Sequence, residues 1–317
     1  MCLTICSLFE LCLVCMVKLI SVISCFFFVA GCVSIPPKTQ LINASGFINN
    51  YPLSSECSVD KIQHSLSHFD APSLQLDPQN ISVLNWNIYK TSRDNWSDDF
   101  KTFIEAQDLL ILQEAITSPE VITLLNKQHP NWRLNTAFHS DDYGVGVLTA
   151  STVKPVFSCG IRTTEPLIRI PKTVLINLYP FAHSNEKLLV ANLHGINFSL
   201  GTEVYAQQIH SMMSIIKQHS GPVIVAGDFN TWSQSRMDIV NDMADSLSLK
   251  AVEYKAHNRI KVFGYALDHV YYRGLEVTRE QTHKVSSSDH NPIRVNFRVL
   301  GVENMALTVD GKSLVSR

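Results

Sequence analysis

The sequence predicts a mixed α/β fold, a layered sandwich more than a regular doubly wound sheet. Three observations carry that expectation. Strand-like runs dominate from Ile81 onward, with helix-like stretches interleaved only in places. Several of those runs, "DLLILQEA" (108–115) and "PVIVAGDFN" (222–230) among them, are continuously apolar before they end, as strands buried on both faces are. No internal repeat at a fixed period interrupts the pattern, which argues against a solenoid or a propeller.

Taken in order, "ISVLNWNIY" (81–89) reads as a strand. "WSDDFKTFIEAQ" (96–107) reads as a helix with Ser97 as its N-cap and Phe100, Phe103 and Ile104 on its apolar face. After "DLLILQEA", a second helix starts in "SPEVITLLNKQ", with Ser118 as cap and Pro119 at the first helical position, where its missing N–H costs nothing. "YGVGVLTAS", "TVLINLYP" and "EKLLVANLHGINF" are strands. "TEVYAQQIHSMMSIIKQHSGP" (202–222) is an amphipathic helix closed by Gly221 and Pro222. "PVIVAGDFN", "ALDHVYYR" and "IRVNFRV" complete the strands. Residues 33 to about 80 are rich in Ser, Asn and Pro and lack periodicity, so they read as a tether and an irregular extension. The expected division is therefore 1–31 targeting segment, 32–80 tether and extension, 81–300 main domain and 301–317 tail.

Composition narrows the class. The chain has 317 residues, 45% hydrophobic and 17% charged, with a formal net charge of −2. Such a balance provides no global basic field for a long polyanion, which would need a local basic groove. Six of the eight cysteines lie at or before residue 32. No paired spacing in the body resembles a zinc site. Read from Met16, "MVKLISVISCFFFVAGC" has a basic residue, a short apolar run and small residues before Cys32, the pattern of a signal peptide. "VAGC" resembles the lipobox of bacterial lipoproteins, which implies Met16 as the start, a lipid on Cys32, membrane attachment and a body in the cell envelope facing the periplasm or exterior. The alternative is a transmembrane anchor over 11–33, interrupted by Lys18, or a cytoplasmic chain. Outside the cytoplasm, Cys57 and Cys159 would be free to pair; otherwise they are isolated thiols. His64 and His68 read as a surface pair, because no third ligand lies near them.

The chemistry is written at the strand ends. Apolar runs terminate in residues that are costly to bury: Asn85 and Asn87, Gln113 and Glu114, His194 with Asn197 three further on, Asp228 and Asn230, Asp268 with His269, and Asp289 with His290. One such carboxylate is ordinarily a turn former or a helix cap. Six occurrences in one domain point instead to strand ends that converge and share a cation, because a buried charge costs several kcal/mol unless it is paired or bound to metal. The donors are rich in oxygen, with no cysteine and few histidines. That set suits a hard cation such as Mg²⁺ (or Mn²⁺) over zinc.

These segments, "LNWNIY", "LILQEA", "NLHGINF", "VAGDFNTW", "LDHVYYR" and "SSDHNP", resemble in order and spacing the motifs of the endonuclease/exonuclease/phosphatase superfamily over about Ile81 to Val299. The phrasing is similar to that of an uncharacterised bacterial branch. The resemblance implies a DNase I-like four-layer α/β sandwich, two packed mixed β-sheets flanked by helices, with the site at one sheet edge. It implies Asn87 and Glu114 as metal ligands with Asp289 nearby. Asp228 would orient or deprotonate the attacking water, and Asn230 would bind phosphate or support Asp228. His290 would contact the phosphate, its tautomer and charge fixed by Asp268, and His194 would assist the leaving oxygen. Tyr89 stands where abasic-site members carry an acid, and His269 reads as a packed side chain.

Fold does not choose the substrate. Arg162, Arg169 and Lys172 form one basic cluster, and Lys255, Arg259 and Lys261 another. Either would bind an extra phosphate or a nucleic-acid backbone, or be solvated loop charge. Arg162, Arg169 and Asn197 are the candidate substrate contacts. Trp132 and Trp232 would stack on bases or pack, whereas Trp86, inside a strand, packs. Three readings follow: a nuclease-like phosphodiesterase, a phosphatase or phospholipase-type enzyme on phosphorylated lipids or inositol phosphates, and a non-catalytic lipoprotein binding module. None implies an obligate protein partner.

Overall fold

The computed structural model of the protein describes residues 33–44, 46–47, 57–58, 60, 62 and 74–301. The segment expected to be a signal peptide, Met16, Cys32, the His64–His68 pair and most of the C-terminal tail lie outside the described residues.

In chain order the strands are β1 (Val33–Ser34), β2 (Leu41–Asn43), β3 (Gly46–Phe47), β4 (Ile81–Asn87), β5 (Leu109–Ile116), β6 (Arg133–Ser140), β7 (Tyr143–Ser151), β8 (Phe157–Thr164) and β9 (Pro171–Pro180). They continue as β10 (Lys187–His194), β11 (Val223–Asp228), β12 (Lys250–Ala251), β13 (Lys261–Val262), β14 (Tyr265–Ala266), β15 (Asp268–Arg273), β16 (Leu275–Thr282) and β17 (Ile293–Val299). Helices α1 (Trp96–Ile104), α2 (Pro119–Gln128), α3 (Glu203–Ile216) and α4 (Gln234–Ser246) and a three-residue turn at Tyr89–Thr91 complete the described elements. The first sheet runs β16-β17-β4-β5-β7-β6-β2-β3, with β1 pairing on β6; the second runs β12-β15-β11-β10-β9-β8. Both are mixed: β4 and β5 are parallel in the first, and β10 and β11 are parallel in the second.

Alternation along the strands explains the layers. Ile81 and Val83 face one way and Leu84 and Trp86 the other. The first pair joins Leu109, Ile111, Leu188, Val190, Ile224, Ala226 and Val295 in the core between the sheets. The second joins Phe100, Phe103, Val121 and Leu125 of α1 and α2. On the far side, Leu189, Ala191, Val223 and Val225 pack under Ile209, Met212, Val240 and Met243 of α3 and α4. Three apolar interfaces thus separate four layers, the sandwich that the sequence implies.

Some elements depart from the sequence reading. The segment read as tether and extension contributes β1, β2 and β3 to the first sheet, with Val33 opposite Ser140 and Leu41 opposite Asn135. These strands are too short to show periodicity, and their partner lies far along the chain. Helix α1 starts one residue before Ser97, after Asn95 in the left-handed region, so Ser97 is not its cap. Ser118 does cap α2, accepting from the Val121 amide. Helix α4 escapes sequence reading because it is mostly polar; its buried face is Arg236, Val240, Met243 and Ala244. Cys57 and Cys159 are joined in a disulfide, Cα–Cα 4.9 Å, which ties the N-terminal segment to β8.

Candidate active site

The same alternation that builds the inter-sheet core carries polar residues to its end. Continuing 81, 83 along β4 gives Asn85 and Asn87; continuing 188, 190 along β10 gives Asn192 and His194; continuing 224, 226 along β11 gives Asp228. Asp268 enters from β15 directly opposite Asp228, and His194 is registered beside Asp228. His290 arrives on the turn before β17, whose Ile293 pairs with Asn85.

Not every strand-end polar group joins the site. Asn85 and Gln113 turn inward instead. Gln113 Nε2 donates to Asn85 Oδ1 at 3.1 Å and to Asn192 Oδ1 at 2.8 Å, and Asn192 Nδ2 donates to the carbonyls of Leu112 and Leu148. This buried amide chain links the two sheets beneath the site, so the shared-cation argument does not extend to Asn85 and Gln113.

Glu114 reaches the site through a bulge. By simple alternation it would follow Leu110 and Leu112 toward α1 and α2. The β5–β7 register shifts between Leu112 and Ala115, and Glu114 has φ +47°. An extra residue in one strand re-aims its side chain in this way. Its Oε1 lies 4.0 Å from His194 Nε2, and its Oε2 accepts from the Lys90 ammonium. Lys90 stands on a left-handed turn, Tyr89–Thr91, with φ of +49°, +55° and +56°. Such backbone costs L-residues roughly 1–2 kcal/mol each, and it collects at functional sites. The Tyr89 amide donates to Asn87 Oδ1 at 3.1 Å, which fixes the turn to the site asparagine.

The centre is a buried acid–histidine cluster. His290 Nδ1 lies 2.8 Å from Asp268 Oδ2, and its Nε2 lies 3.7 Å from Asp228 Oδ2. Burial lowers the His290 pKa, but the Asp268 and Asp228 carboxylates and the Asp268 hydrogen bond outweigh it, so the net shift is upward and the ring is a cation. Burial raises the Asp228 carboxyl, against the pull of His290. Asp228 is held on both oxygens: Oδ1 accepts from the Asn230 amide at 3.0 Å, and Oδ2 accepts from Asn87 Nδ2 at 3.1 Å. Asn230, at φ +53°, donates from Nδ2 to the Gly195 carbonyl. Asp228, Asp268 and His290 each place one ligand atom within 4.8 Å of the others, the grouping among the described residues that fits divalent-metal use.

His194 is buried. Burial lowers its pKa well below the ordinary value, and the cations of Lys172, His290 and Lys90 push the same way. Lys172 Nζ lies 2.8 Å from His194 Nε2. His269 is packed as read: its Nε2 contacts Thr231 Oγ1 and the Ala266 carbonyl, and burial lowers its pKa to about 4.

The remaining sequence candidates are placed as follows. Asp289 is half-buried, 3.4 Å from Ser288 Oγ. Asn197 Oδ1 accepts from Trp232 Nε1 at 3.0 Å. The Arg162 guanidinium donates to the Pro36 carbonyl, fastening the N-terminal segment, and Arg169 is exposed on the β8–β9 turn. Trp86 and Trp132 are core residues. Three residues escaped sequence reading. Ser288 Oγ donates to the Asn87 carbonyl and accepts from the His290 amide, and "SSS" was its only signal. Lys90 had none. Arg236, buried in α4, donates to the carbonyls of Ile196, Asn197 and Asn230 between the rings of Tyr205 and Trp232.

Comparison with known proteins agrees with this geometry. Residues 84–290 match the Endonuclease/Exonuclease/phosphatase family. The UPF0294 protein YE0917 of Yersinia enterocolitica is 39% identical over 218 residues, 69% of this chain and 84% of that protein. A solved endonuclease/exonuclease/phosphatase from Bacteroides vulgatus superimposes with a TM-score of 0.54 at 16% identity, covering 70% of this chain and 99% of that one. One from Beutenbergia cavernae gives 0.53 at 14%, covering 70% and 72%. At those identities the two structures speak to the fold, which they share.

Proposed function

The chain belongs to the endonuclease/exonuclease/phosphatase family, and from that premise we propose that it is a divalent-metal-dependent phosphoesterase that hydrolyses a phosphodiester bond with an activated water. The observation that carries the reading is the line Asp268–His290–Asp228 at the confluence of four strand ends, 2.8 Å and 3.7 Å between its members.

In the reaction, the water oxygen bonds to phosphorus, the P–O ester bond breaks and the leaving alkoxide takes a proton. Asp228 accepts the proton of the attacking water. Its carboxylate is oriented by the Asn230 amide and Asn87, and burial makes it a stronger base than an exposed aspartate. His290, cationic against Asp268, faces the phosphoryl oxygens and stabilises the charge that develops there. Lys172, in contact with His194, supplies a proton on the leaving-group side.

The residues present fit a divalent cation, Mg²⁺ or Mn²⁺. Asp268 Oδ1 is buried without a partner, and Asp228 is pushed upward by burial, both signs of negative charge short of compensation. The carboxylates of Asp228 and Asp268 lie within ligand reach of one another, whereas His290, held as a cation, would face the phosphate and not the metal. Asn87, Glu114 and Asp289 offer the oxygens, and Glu114 already holds one cation, the Lys90 ammonium. When bound, the metal would neutralise phosphoryl charge and polarise the ester.

The disulfide suits an oxidising compartment and supports export of the body. The envelope location and the lipid on Cys32 are part of the same proposal.

The test is hydrolysis of bis-(p-nitrophenyl) phosphate by the purified chain with Mg²⁺ or Mn²⁺. Asp228→Asn and His290→Gln should each abolish it with far-UV circular dichroism unchanged. A wild-type protein inactive on diesters with either metal would sink the reading in favour of a binding module.

A further inference from the structure

Large apolar side chains that remain exposed in this domain are not scattered. The strand registers place the β8–β9 turn, the loop after β10 and the β13–β14 hairpin at the edge that carries the site. On these three loops Leu167 is 55% exposed, Ile168 44%, Phe198 49%, and Leu200 and Phe263 83% each. Val33 and Tyr143 project at the same edge, since Val33 pairs with Ser140 and Ser140 with Tyr143. Among the described exposed large hydrophobics, Leu74, two residues before the Leu76 amide that donates to the Pro180 carbonyl, and Leu300, whose amide donates to the Gly274 carbonyl, belong to the opposite edge, and Ile35 follows β1.

The three loops form one rim. Glu165, buried at the base of the β8–β9 turn, accepts from the amides of Asn197 and Phe198. Trp232 bonds Asn197 and meets the Phe263 ring edge-on, centroids 6.4 Å apart. Arg236 lies over Trp232 and bonds Ser199. Held so, Leu200 and Phe263 stand on tight turns closed by Gly201 at φ +74° and Gly264 at φ +91°. Separate protruding tips fit a deformable lipid surface, whereas an apolar patch that docks a folded partner is contiguous and packed at its centre.

Charge and connectivity point the same way. On the three loops the exposed charges, Arg169 and Lys261, are both cationic; the exposed acids of this edge, Asp141 and Asp142 beside Tyr143 and Glu203 at the start of α3, lie off those loops. Aromatic and aliphatic tips flanked by cations match an anionic membrane surface. The described chain also begins here: Val33 enters at the site-bearing edge, with 32 residues before it. Any attachment of that segment to a bilayer would bring this edge, and the site within it, to face the lipid.

We propose that the site-bearing edge is a lipid-docking surface, in which Leu167, Ile168, Phe198, Leu200 and Phe263 enter an anionic bilayer, and that the phosphoester hydrolysed is presented by that bilayer. The second half rests on the phosphoesterase reading; the docking itself does not.

The test uses the full chain in vesicles of phosphatidylglycerol with brominated acyl chains, which quench tryptophan on contact. Phe263→Trp places a reporter on the rim and Leu300→Trp one on the far edge, each corrected for the native tryptophans. The rim reporter should be quenched at least twofold more than the far one, and less in brominated phosphatidylcholine. Equal quenching of the two reporters overturns docking. So does a blue shift of Phe263→Trp that grows with protein concentration in the absence of vesicles, which would mark self-association. For the substrate, the Leu200→Ser/Phe263→Ser double variant should keep wild-type hydrolysis of the soluble bis-ester and lose at least tenfold on phosphatidylglycerol vesicles. Equal rates on vesicles remove the substrate half. Insertion without any hydrolysis condemns the phosphoesterase reading alone, and soluble hydrolysis without insertion condemns the docking alone.

Discussion

Asp268 Oδ2 lies 2.8 Å from His290 Nδ1, and both side chains are buried at the junction of the two sheets. The aspartate therefore does two things to the histidine. It holds the Nδ1 proton, which turns Nε2 toward Asp228, and it raises the pKa against the opposing effect of burial. Asp268→Asn should leave the geometry and remove the charge. A raised histidine is cationic below its folded pKa and loses the proton as pH climbs through it. The variant's pKa falls, so the alkaline limb of its kcat/KM profile should move to lower pH, with a loss on the order of 100-fold or more. A profile that keeps the wild-type limb would separate Asp268 from the chemistry.

Arg236 is a positioning residue. Its guanidinium is buried, lies between Tyr205 and Trp232, and donates to three carbonyls on two loops, one of them that of Asn230. Arg236→Lys keeps the charge but lacks the planar fork. Leaving buried acceptors unpaired costs about 1–3 kcal/mol each, so urea unfolding should show a loss of about 3 kcal/mol. The same variant should lower kcat more than it raises KM, since Asn230 orients Asp228; a stability loss with unchanged kcat would make the role purely structural.

Asn87 and Asp228 were legible in the sequence because each ends an apolar alternation, and alternation fixes the face on which a side chain appears; His290 was legible from the "SSDHNP" turn that leads into β17. Glu114 was legible as an acid at a strand end, but the bulge that turns it inward is a property of pairing with β7. Asn85 and Gln113 carried the same signature as the site residues. What diverts them is Asn192, on another sheet, which no local pattern reveals. Lys90 was hidden for a different reason: a lysine is flexible and mostly exposed, so its reach into a site depends on backbone conformation, here a left-handed turn; Lys172 was legible as part of a basic cluster, but its contact with His194 from the start of β9 was not. The short strands β1 to β3 gain their order wholly from β6 and from one another.

The disulfide should matter more to stability than to catalysis. Cys57 and Cys159 are separated by 102 residues, and Cys57 packs against the core beneath α3 and α4. Closing a loop of about 100 residues is worth up to about 4.7 kcal/mol in the chain-entropy account, with about 2–5 kcal/mol typical on removal. Cys57→Ser/Cys159→Ser should lower the thermal midpoint markedly and leave kcat within about twofold, an order-of-magnitude expectation for a stability effect remote from the chemistry. Unchanged melting in the double variant and under reductant would show that the link contributes nothing.

Acid should weaken the fold through His129. Its Nε2 contacts the Gln107 carbonyl at 2.7 Å, and its Nδ1 is buried without a partner. Burial lowers its pKa, and the Gln107 carbonyl and Asp108 only partly offset this. A histidine lowered on folding takes up its proton more readily in the unfolded chain, so stability is full above about pH 6.5 and falls as pH drops through the folded value. Urea midpoints at pH 7.5 and 5 should differ more for wild type than for His129→Gln, whose amide can keep the Gln107 contact without titrating. Equal differences would assign the acid sensitivity to other groups.

Gly227 shows how tightly the fold delivers Asp228. Its φ is +154°, and a Cβ there would stand 1.9 Å from the Leu193 carbonyl oxygen on the neighbouring parallel strand. The obstruction is backbone, so it cannot be relieved by a rotamer change. Gly227→Ala must either spread β10 from β11 or twist the last turn of β11, and both motions displace His194 and Asp228, which are registered across that pair. Overpacking of this kind costs typically about 1–3 kcal/mol, and a backbone clash belongs at the upper end. The expected outcome is a lowered urea midpoint together with a fall in kcat on the order of 100-fold, because an error of about 1 Å in a positioned catalytic group costs that much. Gly195→Ala, which meets the Phe229 carbonyl at 2.5 Å, provides the comparison. It should displace the loop that accepts from Asn230 and leave the β10–β11 register whole. A Gly227→Ala enzyme with native activity would mean that the approach of the two strands is not what sets Asp228.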